Sequence, residues 1–413
     1  AHQGVPLAIP NPRRKEVAVP ARGTAGAAPD LLVVGGGVWG SWTALLARKL
    51  GASVTLMEAS EPGHRDSTSG DHSRIFRHSH GEDELLLSWA RKSLAAWKAL
   101  SAMSGEELFV ESGVAWCVSD LGLWEAESEK RLRAAGVPHE RLSAEEAVKR
   151  WPAMSPAALA SVLYEPTAGF LRAANGVRAV ARAFVQAGGT LVQGRARPAK
   201  DGSALDANGT PISAGAVVWA AGSSLPGLFP DLVGADTPAE ITPVRRDVAY
   251  FKAKGMGVGE IPTWIDAGIG VWGIPNESGH GAKVGPDFDA GSFNPDAKWP
   301  SEAAEESLQV ARQRAGIRFP ALLDAPLHES RACQHERTLT WHYVLDHHPE
   351  NSRVWIAGGG SGHGYKQAPA VGEMLARAAL ERAPLKLPDQ RFKIVGREQG
   401  PASPAGEPIE EIA

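Results

Sequence analysis

The sequence predicts an α/β fold, α+β overall, joining a domain built on a parallel sheet to a second domain with a mainly antiparallel sheet. Two observations point to the parallel sheet. Asp30-Leu-Leu-Val-Val-Gly-Gly-Gly-Val-Trp-Gly40, closed by Val54-Thr-Leu-Met-Glu58, reads as a buried strand, a glycine turn, a helix and a second strand ending in an acid. Ala216-Val-Val-Trp-Ala-Ala-Gly222 and Arg353-Val-Trp-Ile-Ala-Gly-Gly-Gly-Ser-Gly-His-Gly364 repeat the strand-and-glycine pattern, the latter followed by a helical stretch from Ala370 to Arg382. A third observation points to the other sheet. Val114–Val118 and Val248–Phe251 are short apolar runs, and Gly268–Gly273 with Ala282–Gly285 reads as a hairpin around the polar residues Asn276 to Gly279.

The first element carries a dinucleotide fingerprint and makes the domain Rossmann-like. Gly35 turns the chain sharply, Gly37 lets backbone approach a pyrophosphate, and Gly40 lets the helix pack on the strand. The helix N-terminus offers N–H groups and a partial positive charge to phosphate. Glu58 stands where a carboxylate takes ribose hydroxyls. A glycine turn that binds nothing would explain the glycines but not this acid. Glu82 to Leu100 has helical period, and its Leu85, Trp89, Leu94 and Trp97 are expected in the core. The other glycine strands are continuous in apolar residues, as suits the middle of a covered parallel sheet. They lie far apart, so the nucleotide domain is expected to be discontinuous: residues 30–108, 163–235 and 331–390. The second domain then takes 109–162 and 236–330, between a flexible leader (1–29) and a C-terminal tail (391–413).

A chain of 413 residues is long enough for two such domains. The net charge of −4 is spread without long basic blocks, which gives no electrostatic footprint for nucleic acid or an anionic membrane. The most apolar run, Leu31 to Ala47, is the fingerprint itself, so no transmembrane segment is expected. Cys117 and Cys333 are the only cysteines, too few for a disulfide scaffold. That favours the cytoplasm, while the Ala-, Pro- and Gly-rich leader, starting at Ala1, leaves export of a processed precursor open.

Further motifs carry a specific likeness. They are Gly70-Asp-His-Ser-Arg-Ile-Phe-Arg77-His, Arg150-Trp-Pro152, Tyr164-Glu-Pro-Thr-Ala-Gly169, Arg331-Ala-Cys333 with Thr338-Leu and His342-Tyr-Val-Leu-Asp346, and Ser361-Gly-His-Gly-Tyr-Lys366. In this order and spacing, from Asp30 to about Lys386, they resemble the monomeric sarcosine oxidase / N-methyltryptophan oxidase family of D-amino-acid-oxidase-like flavoproteins. The resemblance implies FAD in extended form, a second domain roofing the substrate, and a largely monomeric protein. It also implies oxidation of a secondary amine to an imine, with electrons returned to oxygen as hydrogen peroxide.

The same resemblance implies roles for particular residues. Cys333 matches a cysteine bonded to the flavin ring, where a nearby cation such as Arg331 would favour the thiolate. Cys117, inside an apolar strand, reads as a buried hydrophobe. Lys283 matches a lysine that serves oxygen, since a fixed ammonium stabilises an anion formed from a neutral molecule. Arg77 and Lys366 match a pair holding a substrate carboxylate, and Arg74 an arginine on the flavin face. The cofactor set is Gly35, Gly37, Gly40, Glu58, Ser73, Arg74, Cys333, Gly222, Gly360, Gly362, His363, Gly364 and Lys366, with His363 a hydrogen-bond donor to the flavin. His78, His80, His335, His342, His347 and His348 show no metal-binding spacing, so no metal is expected.

Three positions depart from the family. Asp287 stands where a histidine is expected four residues after Lys283, Trp272 replaces a tyrosine before Gly273-Ile-Pro275, and His80 replaces a second tyrosine. As pocket positions they argue against sarcosine and for a larger N-substituted amino acid with a basic or hydrogen-bonding group, packed on Trp272. Besides the oxidase, a dehydrogenase using another acceptor and a non-catalytic flavin-binding protein stay open. Lys283 and the Arg77/Lys366 pair speak for the oxidase. An NAD enzyme is disfavoured by the later glycine strands and the Cys333 motif.

Overall fold

The computed structural model describes residues 28–119, 122–295, 297, 299–381 and 389–397; most of the expected leader and tail lies outside them. A six-stranded sheet runs Val344–His348, Asn351–Gly358, Ala216–Trp219, Leu31–Val34, Val54–Glu58, Thr190–Gln193. All neighbours are parallel except the first pair. The three glycine strands are therefore side by side at its centre. Leu31 and Val33 face one side, beneath helices Val38–Lys49, Ala173–Gln186 and Ala368–Glu381; Leu32 and Val34 face Trp219, Phe229 and Ile356 on the other. Both faces are covered, which is why these strands alternate so little.

The glycine turn has a steric cause. Gly35 sits at φ +106, and a Cβ there would lie 2.3 Å from the Ala220 carbonyl oxygen; one on Gly40 would meet the Gly35 carbonyl oxygen at 1.8 Å. The helix Glu84–Ser104 starts at Asp83, whose side chain accepts from Leu86 N at 3.0 Å, and Trp89 and Trp97 lie in the core with Leu85 and Leu94 against it.

The second sheet has eight strands in the order Leu327–Thr338, Ile241–Phe251, Ala282–Pro286, Val271–Ile274, Thr263–Asp266, Val114–Val118, Ser161–Glu165, Glu140–Ser143. Only the Thr263–Asp266/Val114–Val118 pair is parallel. The expected hairpin is present in shorter form, with Trp272 opposite Gly285 and Ile274 opposite Lys283; Gly268 belongs to a 3-10 turn and Gly270 to its left-handed end. Cys117 is buried here, as read from its apolar strand. Ser73–Phe76, Gly169–Arg172 and Phe109–Val110 form a small third sheet. Cys333 lies on the long strand Leu327–Thr338 of the eight-stranded sheet, opposite Arg246.

Candidate active site

The two large sheets meet around a cavity of about 700 Å³. Gly35, Gly37 and Glu58 line one part of it, Gly222, Gly360, Gly362, His363 and Gly364 another, and Arg74, Arg77, Lys283, Trp272, Asp287, Cys333 and Lys366 a third. Residues separated by more than 300 positions, such as Gly35 and Lys366, thus line one cavity. Glu58 accepts from Gly36 N at 2.6 Å and Ser60 N at 2.9 Å, so the acid at the end of the second strand braces the glycine turn. Trp39 Nε1 donates to the Gly364 carbonyl at 2.9 Å, tying the first helix to the second glycine loop.

Lys366 is buried and Arg77 partly buried, and among the described residues neither has a carboxylate in salt-bridge contact. The Arg77 guanidinium lies 5.0 Å from the centre of the Trp116 ring and 5.6 Å from that of Trp124, and donates to the Ser79 carbonyl. Lys366 Nζ donates to the His363 carbonyl at 3.2 Å. Burial, and then the neighbouring Arg77, press the Lys366 ammonium well below its usual value; burial lowers Arg77 to about 10. The buried Glu165 offsets part of this charge without contacting either group, and the repulsion left between Arg77 and Lys366 makes the spot suited to a carboxylate.

Lys283 is 2% exposed. Its ammonium donates to the Asp71 carboxylate and to the Ser73 carbonyl (2.9 Å), and lies 5.4 Å from the centre of the Trp272 ring. Arg74 donates to the same carbonyl at 2.9 Å and to Asp71 Oδ2 at 3.1 Å, so Ser73 contributes its carbonyl to both cations. Burial lowers the Lys283 pKa, Arg74 adds to this, and Asp71 opposes it.

Four expectations change. Asp287 does not stand as an unpaired negative charge: its Oδ1 binds Arg246 Nη1 at 2.6 Å, and Arg246 also holds Asp289 at 2.6 Å. The argument for a basic substrate group falls with it. His80 is 4% exposed and is not on the cavity wall; it packs beside Gln367 (3.1 Å) and the His363 ring. His363 faces the protein with both ring nitrogens, Nδ1 at 2.7 Å from Tyr343 Oη and Nε2 at 2.9 Å from the Trp341 carbonyl, and burial keeps it neutral. Its ring orients the loop, and donation to a ligand falls to other groups. Cys333 is not a thiolate: burial and then Asp71 push its thiol to about 11, outweighing Arg74, Lys283 and Arg331.

Sequence reasoning passed over Asp71, Arg246, Tyr250 and Glu336. Arg246 and Tyr250 are reached only through strand pairing, opposite Cys333 and Lys283. Asp71 lay inside a quoted motif, and its φ of +83 has no sequence signal. Glu336 lines the cavity beside the Gly360–Gly364 loop; Oε1 accepts from Gly360 N at 3.4 Å, and Oε2 is shut off from solvent with no partner among the described residues.

Sequence spacing also could not show that His72, His280 and Glu329 meet, with ligand-capable atoms within 4.8 Å of one another. The two imidazoles stack at 3.8 Å with a 22° tilt, and Arg331 Nη2 lies 2.9 Å from His72 Nε2. A metal must lie in the plane of each ring that binds it, and rings stacked this way do not share one.

A family model described as FAD dependent oxidoreductase (DAO) matches residues 30–378. The chain belongs to the DAO family of FAD-dependent oxidoreductases. Monomeric sarcosine oxidase of Bacillus sp. (strain B-0618) is 26% identical over 85% of this chain and 92% of its own length. N-methyl-L-tryptophan oxidase of Yersinia pestis (strain Pestoides F) is 25% identical over 86% and 95%. Among solved structures, L-proline dehydrogenase from P. horikoshii superposes with a TM-score of 0.75 at 23% identity, covering 89% of this chain and 97% of that one. Glycine oxidase from Geobacillus kaustophilus gives 0.72 at 20% identity, covering 90% and 99%. This DAO-family oxidoreductase therefore has the sheet architecture of flavoenzymes over nearly its whole described length. No helix among its described residues is long and apolar enough to cross a membrane.

Proposed function

We propose that this enzyme is an amine oxidase acting on N-methyl or other N-substituted amino acids larger than sarcosine, with release of an imine and hydrogen peroxide. The observation that carries the reading is the Arg77/Lys366 pair on the cavity wall, Lys366 buried and Arg77 partly buried, with no carboxylate in salt-bridge contact among the described residues. A substrate carboxylate would supply the missing charge and aim the amine end of the molecule into the cavity. Trp272, on the same wall, offers an apolar face to a substrate side chain. Removing the basic-group argument leaves neutral side chains as the expected class.

FAD suits the donor set: Glu58 and the Gly35–Gly40 turn at one part of the cavity, the Gly360–Gly364 loop along it, and cations at another part. When bound, FAD accepts two electrons from the amine carbon and passes them to oxygen. Lys283 and Arg74 would stabilise negative charge that appears during that transfer. Cys333 is proposed as the covalent anchor; it lines the cavity, and its proton must leave before its sulfur can bond. In this reading the six-stranded sheet carries the nucleotide and the eight-stranded sheet roofs the substrate.

The test is peroxide release from a panel of N-methyl amino acids and from the same amines lacking the carboxylate. Turnover of the acids only, lost in Arg77→Met, supports the reading; equal turnover of both sets sinks the clamp. Acid precipitation tests the anchor, which requires yellow colour to stay with the protein and to leave in Cys333→Ser.

A further inference from the structure

One acid sits among the cations of this site. Asp71 is 3% exposed, and its carboxylate is shared by groups from four separate strands. Oδ2 receives Lys283 Nζ and Arg74 Nη1 (3.1 Å), with Cys333 Sγ at 4.0 Å. Oδ1 receives Tyr250 Oη and the His72 backbone N–H (2.7 Å), with Arg331 Nη1 at 3.5 Å. The residue does this from φ +83, a conformation that costs a non-glycine residue energy and that persists only where surrounding contacts hold it. Burial alone would protonate such a group; Lys283, Arg74 and Arg331 together hold it well below the usual carboxylate range, so it is an anion.

We infer that Asp71 is a positioning residue for the oxidation chemistry: it fixes the Lys283 ammonium and the Arg74 guanidinium together and cancels part of their charge, setting the positive field that a bound flavin feels. This rests on the reading of the cavity as a flavin amine oxidase site. Both cations engage one carboxylate, so neither can move alone. With Asp71 neutral, Arg74 and a protonated Lys283 lose the negative charge that offsets them, and the site favours any anionic form of the flavin.

The probe is sulfite, an anion that adds to the flavin of positively charged sites and bleaches its visible absorption. Asp71→Asn keeps the shape, and asparagine tolerates a left-handed backbone. In the holoenzyme of this variant, sulfite should bind at least about tenfold tighter than in wild type, equivalent to roughly 30 mV in the potential of a two-electron couple. Tyr250→Phe keeps the charge but removes a donor that damps it, so sulfite binding should weaken. If Asp71→Asn does not accumulate as folded holoenzyme, the Tyr250→Phe result decides alone. Unchanged sulfite affinity in Asp71→Asn, or tighter binding in Tyr250→Phe, overturns the inference while wild-type peroxide formation still stands. A wild-type protein with no flavin, or one making no peroxide from any N-methyl amino acid, overturns the oxidase reading and this inference with it.

Discussion

Glu336 offers a measurable link between the cavity and stability. Its carboxyl, with Oε2 cut off from solvent, has no cation in salt-bridge contact among the described residues, and burial raises its pKa from 4.5 to about 7, against weak help from the Gly360 and Gly359 N–H groups. A raised carboxyl pKa means that the folded state keeps a proton which the unfolded chain has already lost. Stability from this group is therefore fully present below pH 4.5, declines between 4.5 and about 7, and is gone above that. The shift of about 2.5 units, at about 1.4 kcal/mol each, makes the loss about 3 kcal/mol at pH 8. Glu336→Gln replaces the acid by a permanently neutral group of the same shape and should abolish the decline. The assay is urea unfolding of apoprotein, made in riboflavin-starved cells, at pH 4.5 and pH 8 for both proteins. The advantage of the variant over wild type should grow by about 3 kcal/mol from the lower pH to the higher. A difference between the two proteins that is the same at both pH values would refute the reasoning: Glu336 would then ionise as an ordinary carboxylate.

Other outcomes follow from the same geometry. Lys283→Met should slow reoxidation of the reduced enzyme by oxygen about 100-fold or more, with little change in its reduction by substrate, measured by stopped-flow absorbance. Arg77→Met should raise KM for carboxylate substrates at least about tenfold, a loss of about 1.4 kcal/mol or more, in steady-state peroxide assays. Asp287→Asn should leave the relative preference for neutral and cationic substrates nearly unchanged, because Arg246 already neutralises that carboxylate. Arg318 and Asp266 form a fully buried pair at 2.8 Å, so Arg318→Met, which strands the acid, should cost about 3–5 kcal/mol in urea unfolding.

Local chemistry made the nucleotide half legible. The turn at Gly35, the close approach of Gly40 to the Gly35 carbonyl, the apolar strands at Leu31, Ala216 and Arg353, and the acid at Glu58 each show in a few neighbouring residues, although the crowding of Gly35 by Ala220 does not. The motif residues Arg74, Arg77, Lys283, Cys333 and Lys366 were likewise nameable one at a time, and the cavity wall does gather them. Their electrostatic state was not nameable. Whether Asp287 repels or is already paired depends on Arg246, 41 residues away on the strand Ile241–Phe251. Whether Cys333 is a thiol or a thiolate depends on burial and on Asp71, 262 residues away. Which way His363 and His80 point depends on Tyr343, Trp341 and Gln367. Backbone conformation and hydrophobic period are short-range and leave a trace in sequence order. Charge, solvation and hydrogen-bond direction act through space between distant segments, and only the packing of the sheets around one cavity decides them.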